Sequence, residues 1–219
     1  MIANVNGVKL YYEKTGSGEP IILIHGNGEN HRIFNETVDV LKEKFTVYAI
    51  DSRGHGESSK ISEYHYDDMA EDIYCFIKEL NIEKPVIYGF SDGGIIALLL
   101  AIGHSDCLKC IIASGANTVP KGLKWGFLAA VRIRRFFTHD KKAKMMLCEP
   151  QITDDMLKKI NIPVFITCGS HDIIKLSHSK YIADKIPNAF FKVFVGDGHG
   201  SYIVNSKKIA QYIIEALYP

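Results

Sequence analysis

Short apolar runs alternate along this chain with longer stretches in which apolar positions recur every three or four residues. Ile21 to Ile24, Phe45 to Ile50, Pro85 to Gly89, Leu108 to Ala113, Ile162 to Cys168 and Phe190 to Val195 have strand length and are rich in Ile, Val, Phe and Tyr. The stretches between them have helical periodicity. The clearest is Tyr66 to Leu80, with Met69, Ile73, Phe76, Ile77 and Leu80 on one face. Arg32 to Leu41, Asp92 to Ile102, Ser177 to Ile186 and Lys207 to Leu217 follow the same rule. At the N-terminus an Asn6-Gly7 turn joins a short strand to Val8–Tyr12, and Asn-Gly is the strongest short hairpin signal.

Continuous apolar strands alternating with helices predict an α/β fold, a parallel sheet covered on both faces. Ligands bind such sheets beyond the carboxyl ends of the strands, so chemistry is sought in the loops that follow them. One stretch breaks the alternation. About forty residues, 121–160, separate two strands that a crossover of a dozen or so would join. The excess predicts a small cap over residues 121–150, inserted between core segments 1–120 and 151–219.

Composition narrows the class. With 219 residues, 47% hydrophobic and 23% charged, the chain can bury a full core, which excludes disordered, collagen-like and coiled-coil proteins. The longest apolar run, Ile95 to Ile102, is far short of a membrane span, and no basic segment followed by an apolar run opens the chain, so no cleaved secretion signal is expected. The 26 Lys and Arg balance 25 Asp and Glu, which disfavours a nucleic-acid partner. Five cysteines, an odd number set mostly in apolar runs, predict reduced thiols and a cytoplasmic location. Cys107 and Cys110 form a lone C-x-x-C without a second Cys/His pair, so they read as small apolar residues entering a strand, and no metal site is expected.

The chemistry is concentrated in four loops. Gly89-Phe90-Ser91-Asp92-Gly93 lies between a predicted strand and the apolar helix 95–102. A serine on such a strained turn projects its hydroxyl from the sheet edge, and glycines two residues to either side remove Cβ atoms that would clash. The helix N-terminus beneath it favours developing negative charge. A serine needs a base. Among nine histidines, His199 sits in a glycine-rich loop after the last strand. Asp172, just past the preceding strand, is the acid that would orient it, with Asp197 as rival. The order Ser91, Asp172, His199 is that of the α/β-hydrolases. The loop His25-Gly26-Asn27-Gly28 can aim the Asn27 N–H at the reacting centre, with the N–H of Asp92 as second oxyanion donor.

Together these residues resemble the α/β-hydrolase superfamily over nearly the whole chain. Asp51-Ser52-Arg53-Gly54-His55-Gly56-Glu57-Ser58 is typical of that family as a structural loop. Gly89–Ile95 and Gly115-Ala116-Asn117 are most similar to the biphenyl-hydrolase-like and valacyclovir-hydrolase-like branch, which includes amino-acid esterases. The resemblance implies a mostly parallel sheet of about eight strands with a cap after the sixth. It also implies a serine hydrolase of small carboxylic esters that works through an acyl-enzyme and needs no cofactor. Acyl transfer, perhydrolysis or C–C bond hydrolysis on the same triad is the alternative chemistry. A ligand-binding protein with little turnover is the alternative of another class.

Two electrostatic features bear on the substrate. The Asp92 carboxylate reads either as a partner for a substrate ammonium group or as an acid favoured in a first helical turn. Residues 121–144 carry eight Lys and Arg against one acid, Asp140. That cap reads either as a solvated amphipathic helix or as a surface that steers anions or touches an anionic membrane. Trp125, Phe127 and Leu128, with Phe136 and Phe137, are candidates for an apolar acyl pocket.

Overall fold

The computed structural model describes residues 1–218. Eight strands form one sheet in the order β1-β2-β4-β3-β5-β6-β7-β8. They are β1 (Ile2–Val5), β2 (Val8–Thr15), β3 (Glu19–Ile24), β4 (Phe45–Ile50), β5 (Val86–Phe90), β6 (Cys110–Ser114), β7 (Val164–Gly169) and β8 (Ala189–Phe194). The first two pairings are antiparallel, β1 with β2 and β2 with β4, and all later ones are parallel. The parallel part is what the alternation predicts, and a mostly parallel sheet of eight strands is what the resemblance to the α/β-hydrolases implies.

Two cores follow from the two-residue period of the strands. In β3, Ile22 and Ile24 face one side and Ile21 and Leu23 the other. The first side is covered by α2 (Tyr66–Glu79), α3 (Asp92–His104) and α7 (Leu176–Lys185), and the second by α1 (Asn35–Leu41) and α8 (Lys208–Leu217). Helix α3 is apolar on every side and buried from Asp92 to Leu98. A helix of that kind belongs in the interior, and α3 fills the space between the sheet and α2.

Most boundaries fall within a residue or two of the sequence expectation, and three departures have a local reason. The Arg32–Leu41 helix is split. Asn30 caps a 3₁₀ turn over His31–Phe34 by accepting from the Arg32 N–H, and the α-helix begins only at Asn35. Leu108 does not start β6, because its N–H closes a 3₁₀ turn onto Ser105. Val195 lies beyond β8 and is exposed, as are Phe190 and Phe191 on this edge strand. After β6 come a 3₁₀ turn at Pro120–Gly122, α4 (Trp125–Thr138) and α5 (Lys141–Cys148), followed by the four-residue α6 (Asp154–Leu157). His139 leaves α4 in the left-handed region at φ 53°, and Asp140 caps α5 by accepting from the N–H groups of Lys142 and Ala143. All five cysteines are free thiols. Burial pushes the Cys110 thiol up to about 12, so it is a poor nucleophile and a poor metal ligand at neutral pH.

The loop 51–58 is tied to α2 by a buried bidentate ion pair. Arg53 Nε donates to Asp72 Oδ2 at 2.6 Å and Nη2 to Oδ1 at 2.5 Å, and Asn6 Nδ2 adds a third bond to that carboxylate at 3.0 Å. Removing one partner leaves an uncompensated buried charge. Arg53→Ala should therefore destabilise the fold by about 3–5 kcal/mol, read as a lower urea midpoint. A loss under about 1 kcal/mol would show the pair to be no stronger than an exposed one.

Candidate functional site

Ser91 stands between β5 and α3 with φ 54° and ψ −114°. A non-glycine residue there costs about 1–3 kcal/mol, and packing has to hold it. The neighbours leave no room for anything larger. A Cβ on Gly89 would lie 2.0 Å from the Gly93 carbonyl oxygen, and one on Gly93 would lie 2.0 Å from that of Ile24. The Ser91 N–H donates to Ser114 O at 2.8 Å, which ties the turn to β6.

Three residues that the sequence singled out converge here. Ser91 Oγ is 2.9 Å from His199 Nε2, and His199 Nδ1 is 2.6 Å from Asp172 Oδ1. The Nδ1–H therefore donates to the carboxylate and leaves the Nε2 lone pair facing the serine hydroxyl. Asp172 is buried and also accepts from the N–H of Ile174 at 2.9 Å and of Gly169 at 3.3 Å. Gly115, at φ 60°, passes so close to the His199 ring that a Cβ there would meet Cε1 at 2.8 Å. Asp197, the rival acid, is held instead by Lys208 Nζ at 3.0 Å and Ser201 Oγ at 2.9 Å.

The loop 25–28 presses against the serine, since a Cβ on Gly26 would lie 3.0 Å from Ser91 Cβ. Among the described residues, neither the Asn27 nor the Asp92 backbone N–H has a protein acceptor. The two residues are also linked. Asp92 Oδ2 accepts from Asn27 Nδ2 at 2.9 Å, and Oδ1 accepts from the Tyr66 hydroxyl at 2.8 Å. Burial raises the Asp92 carboxyl above the usual carboxylate range, against the two hydrogen bonds. Each of its oxygens thus already has a partner within the protein.

These groups open into a cavity of about 270 Å³. Ligand pockets run roughly 300–1,000 Å³, so this one suits a small molecule. Its apolar wall includes Phe127, Val131, Met146 and Ile174, and its polar groups include Glu29, Tyr66, Arg134 and Glu149. Phe127 lines the cavity as expected. Trp125 and Leu128 do not, and the reason is helical phase. Trp125 points outward and is 77% exposed, while Leu128 is buried in a cluster with Leu123 and Ile174, which themselves line the cavity. Phe136 and Phe137 also face solvent. Tyr66, Glu29 and Glu149 were missed, because nothing in their spacing distinguishes them from ordinary residues of a helix start or a loop. Glu149 accepts from His65 Nδ1 at 2.6 Å and from the Tyr66 N–H at 3.1 Å, joining the end of α5 to the start of α2. Burial raises the Glu29 carboxyl, although it accepts from the Gly26 N–H. Among the described residues no cluster of three or more His, Cys, Asp or Glu could hold a metal, and no helix is long and apolar enough to cross a membrane.

The family model for the alpha/beta hydrolase fold matches residues 19–138, more than half of the chain. The chain belongs to the alpha/beta hydrolase family. The match includes Ser91 and the 25–28 loop but ends before Asp172 and His199, whose assignment rests on geometry. Among curated relatives, the AB hydrolase superfamily protein YisY of Bacillus subtilis is 39% identical over 113 residues, 50% of this chain and 42% of that protein. The pimeloyl-[acyl-carrier protein] methyl ester esterase of Vibrio atlanticus is 30% identical over 108 residues, 49% of this chain and 40% of that protein. The matched stretch thus spans less than half of either relative. Among solved structures, an esterase from Exiguobacterium antarcticum superposes with TM-score 0.85 at 22% identity, covering 100% of this chain and 99% of that one. The enol-lactonase of Burkholderia xenovorans LB400 gives TM-score 0.83 at 19% identity, covering 100% of both chains. At these identities the superpositions establish the hydrolase fold.

Two buried imidazoles brace the loops around the site. His25 Nδ1–H donates to Gly26 O at 2.8 Å while Nε2 accepts from the Ser52 N–H at 3.1 Å, and His55 Nδ1–H donates to Arg53 O at 3.0 Å. Burial lowers both pKa values to about 4, so both are neutral in the fold. A folded value below the unfolded 6.5 means that the unfolded chain binds protons first. This contribution is complete above about pH 6.5 and is lost as pH falls to about 4. The raised Glu29 and Asp92 carboxyls act with the opposite sign, so the test compares variants. His55→Asn should flatten the fall in urea midpoint across that window, and an unchanged slope would remove His55 from the account.

Proposed function

We propose that this protein is a serine hydrolase of small carboxylic esters, with Ser91 as nucleophile, His199 as general base and acid, and Asp172 as the group that orients the imidazole. The observation that carries the reading is the continuous chain of short hydrogen bonds from Ser91 Oγ through the His199 ring to the buried Asp172 carboxylate. As Ser91 Oγ bonds to the ester carbonyl carbon, its proton passes to His199 Nε2. Asp172 stabilises the imidazolium through Nδ1–H. The carbonyl oxygen becomes an oxyanion held by the N–H groups of Asn27 and Asp92. Collapse breaks the carbon–alkoxy bond, and the alcohol leaves with the Nε2 proton. Water then attacks the acyl-enzyme with His199 as base, releasing the acid and regenerating Ser91.

Residues 121–150 serve as a cap in this reading. Phe127 and Val131 of α4 and Met146 of α5 line the cavity from that side, which favours a short acyl group. The Asp92 carboxylate acts on Asn27 rather than on substrate, since its oxygens hold Asn27 and Tyr66.

With p-nitrophenyl acetate and butyrate, wild type should turn over and Ser91→Ala should lose a factor of about 10³ or more in kcat. Equal slow rates for the two proteins would end the esterase reading and favour the ligand-binding alternative. Asp92→Asn sets two amide groups facing each other at Asn27. It should lower kcat about tenfold for neutral and amino-acid esters alike, a fraction of what a whole oxyanion donor is worth. A loss confined to amino-acid esters would instead make Asp92 the partner of a substrate ammonium group.

A further inference from the structure

Helix α4 carries two apolar stripes, and only one of them has a partner. Phe127, Leu128 and Val131 point inward to the cavity and the packing around it. On the opposite side Trp125, Ile133, Phe136 and Phe137 are exposed by 77%, 59%, 74% and 75%. At about 100° per residue Phe136 stands nearly above Trp125, and Ile133 and Phe137 fall within about 120° of it, so the four share one side along about 16–18 Å of helix. Packing under the cap does not explain these side chains, because the structure turns them away from it. Large aromatics gathered on one exposed face mark an interaction surface.

The charges around the stripe identify what fits it. Arg132 lies one turn from Phe136 on the same face, the exposed Lys121 and Lys124 lie before and at the start of the helix, and Arg135 lies in its last turn. None of these four cations has a carboxylate partner among the described residues. Three of the other four cap cations do: Arg134 pairs with Asp140 at 3.1 Å, and Lys141 and Lys144 each pair with Glu63 at 3.4 Å, while Lys142 Nζ lies over the Tyr64 ring at 5.5 Å from its centre. Helix α4 itself has no acid in its fourteen residues. A symmetric contact between two copies would set this basic face against itself. An anionic lipid surface supplies what the face lacks, negative headgroups for the cations and an acyl boundary for Trp and Phe. Fourteen residues are too few to span a bilayer, so the helix would lie in the plane of the interface.

We propose that the outer face of α4 docks this protein on anionic bilayer surfaces, with Trp125, Ile133, Phe136 and Phe137 entering the headgroup boundary and Lys124 and Arg132 contacting lipid phosphates. The inference does not depend on the chemistry at Ser91.

Trp125 is the only tryptophan in the chain and reports on the face directly. The test titrates the protein with vesicles of phosphatidylcholine mixed with phosphatidylglycerol, and in parallel with vesicles of phosphatidylcholine alone. Emission should shift to the blue, and protein should co-sediment, with the anionic vesicles only, and both effects should weaken as salt is raised. Lys124→Ala combined with Arg132→Ala should lower vesicle partitioning about 30-fold. Phe136→Ser combined with Phe137→Ser should abolish it. Both pairs are exposed, and an unchanged near-ultraviolet circular dichroism spectrum checks that the fold is intact. Several results would each overturn the proposal. They are no shift and no co-sedimentation with anionic vesicles, equal binding to neutral vesicles, full binding by the phenylalanine variant, and a dimer in sedimentation velocity that the phenylalanine variant dissociates.

Discussion

The left-handed backbone of Ser91 is an unfavourable conformation that the surroundings have to enforce, and much of the architecture near the site can be read as that enforcement. Three chain segments meet at the turn with no spare volume. The Gly93 carbonyl closes on Gly89, the Ile24 carbonyl closes on Gly93, and Ser114 O takes the Ser91 N–H. The first contact lies within the turn itself, and the other two come from the neighbouring parallel strands, β3 on one side and β6 on the other. The central position of β5 is therefore what makes the strained turn affordable, and the apolar α3 running away from it is the other half of the clamp.

The same crowding explains why so much of the fold could be read from sequence. Continuous Ile, Val and Phe runs report burial on both faces directly, and only glycine can occupy the positions that frame Ser91 and receive the His199 ring. Backbone constraints of this kind leave a trace in residue type and spacing. The cap leaves a weaker one. A helix with apolar residues on two sides has a periodicity that fits either stripe facing inward, so the pattern offers Trp125, Phe127 and Leu128 alike, and of the three Phe127 lines the cavity. Tyr66 and Glu149 illustrate a different limit. Their place beside Asp92 depends on how α2 and the end of α5 dock across the sheet edge, and no local pattern encodes that.

Asp92 joins these two regimes. Its backbone N–H belongs to the elbow and was legible there, while its side chain ties the elbow to Asn27 on one loop and to Tyr66 on another helix. Through Tyr66 and Glu149 the chain of contacts continues to the end of α5. The rim of the cavity is thus coupled to the cap by hydrogen bonds through a carboxyl held in an unfavourable, dehydrated setting. Such buried polar networks are strong only when every member is satisfied, so a change at one member is felt at the others.

The order of the strands has a consequence for how the protein comes into being. Ser91 and His199 are 108 residues apart in sequence, and Asp172 follows β7 while His199 follows β8, the last two strands in chain order. Synthesis delivers the strained serine and its glycine frame well before β7 and β8 exist. Until those strands pair, the hydroxyl has neither His199 nor Asp172 beside it. If Ser91 acts as proposed, a partly made chain emerging from the ribosome lacks the completed site, and assembly of the C-terminal edge of the sheet is what completes it.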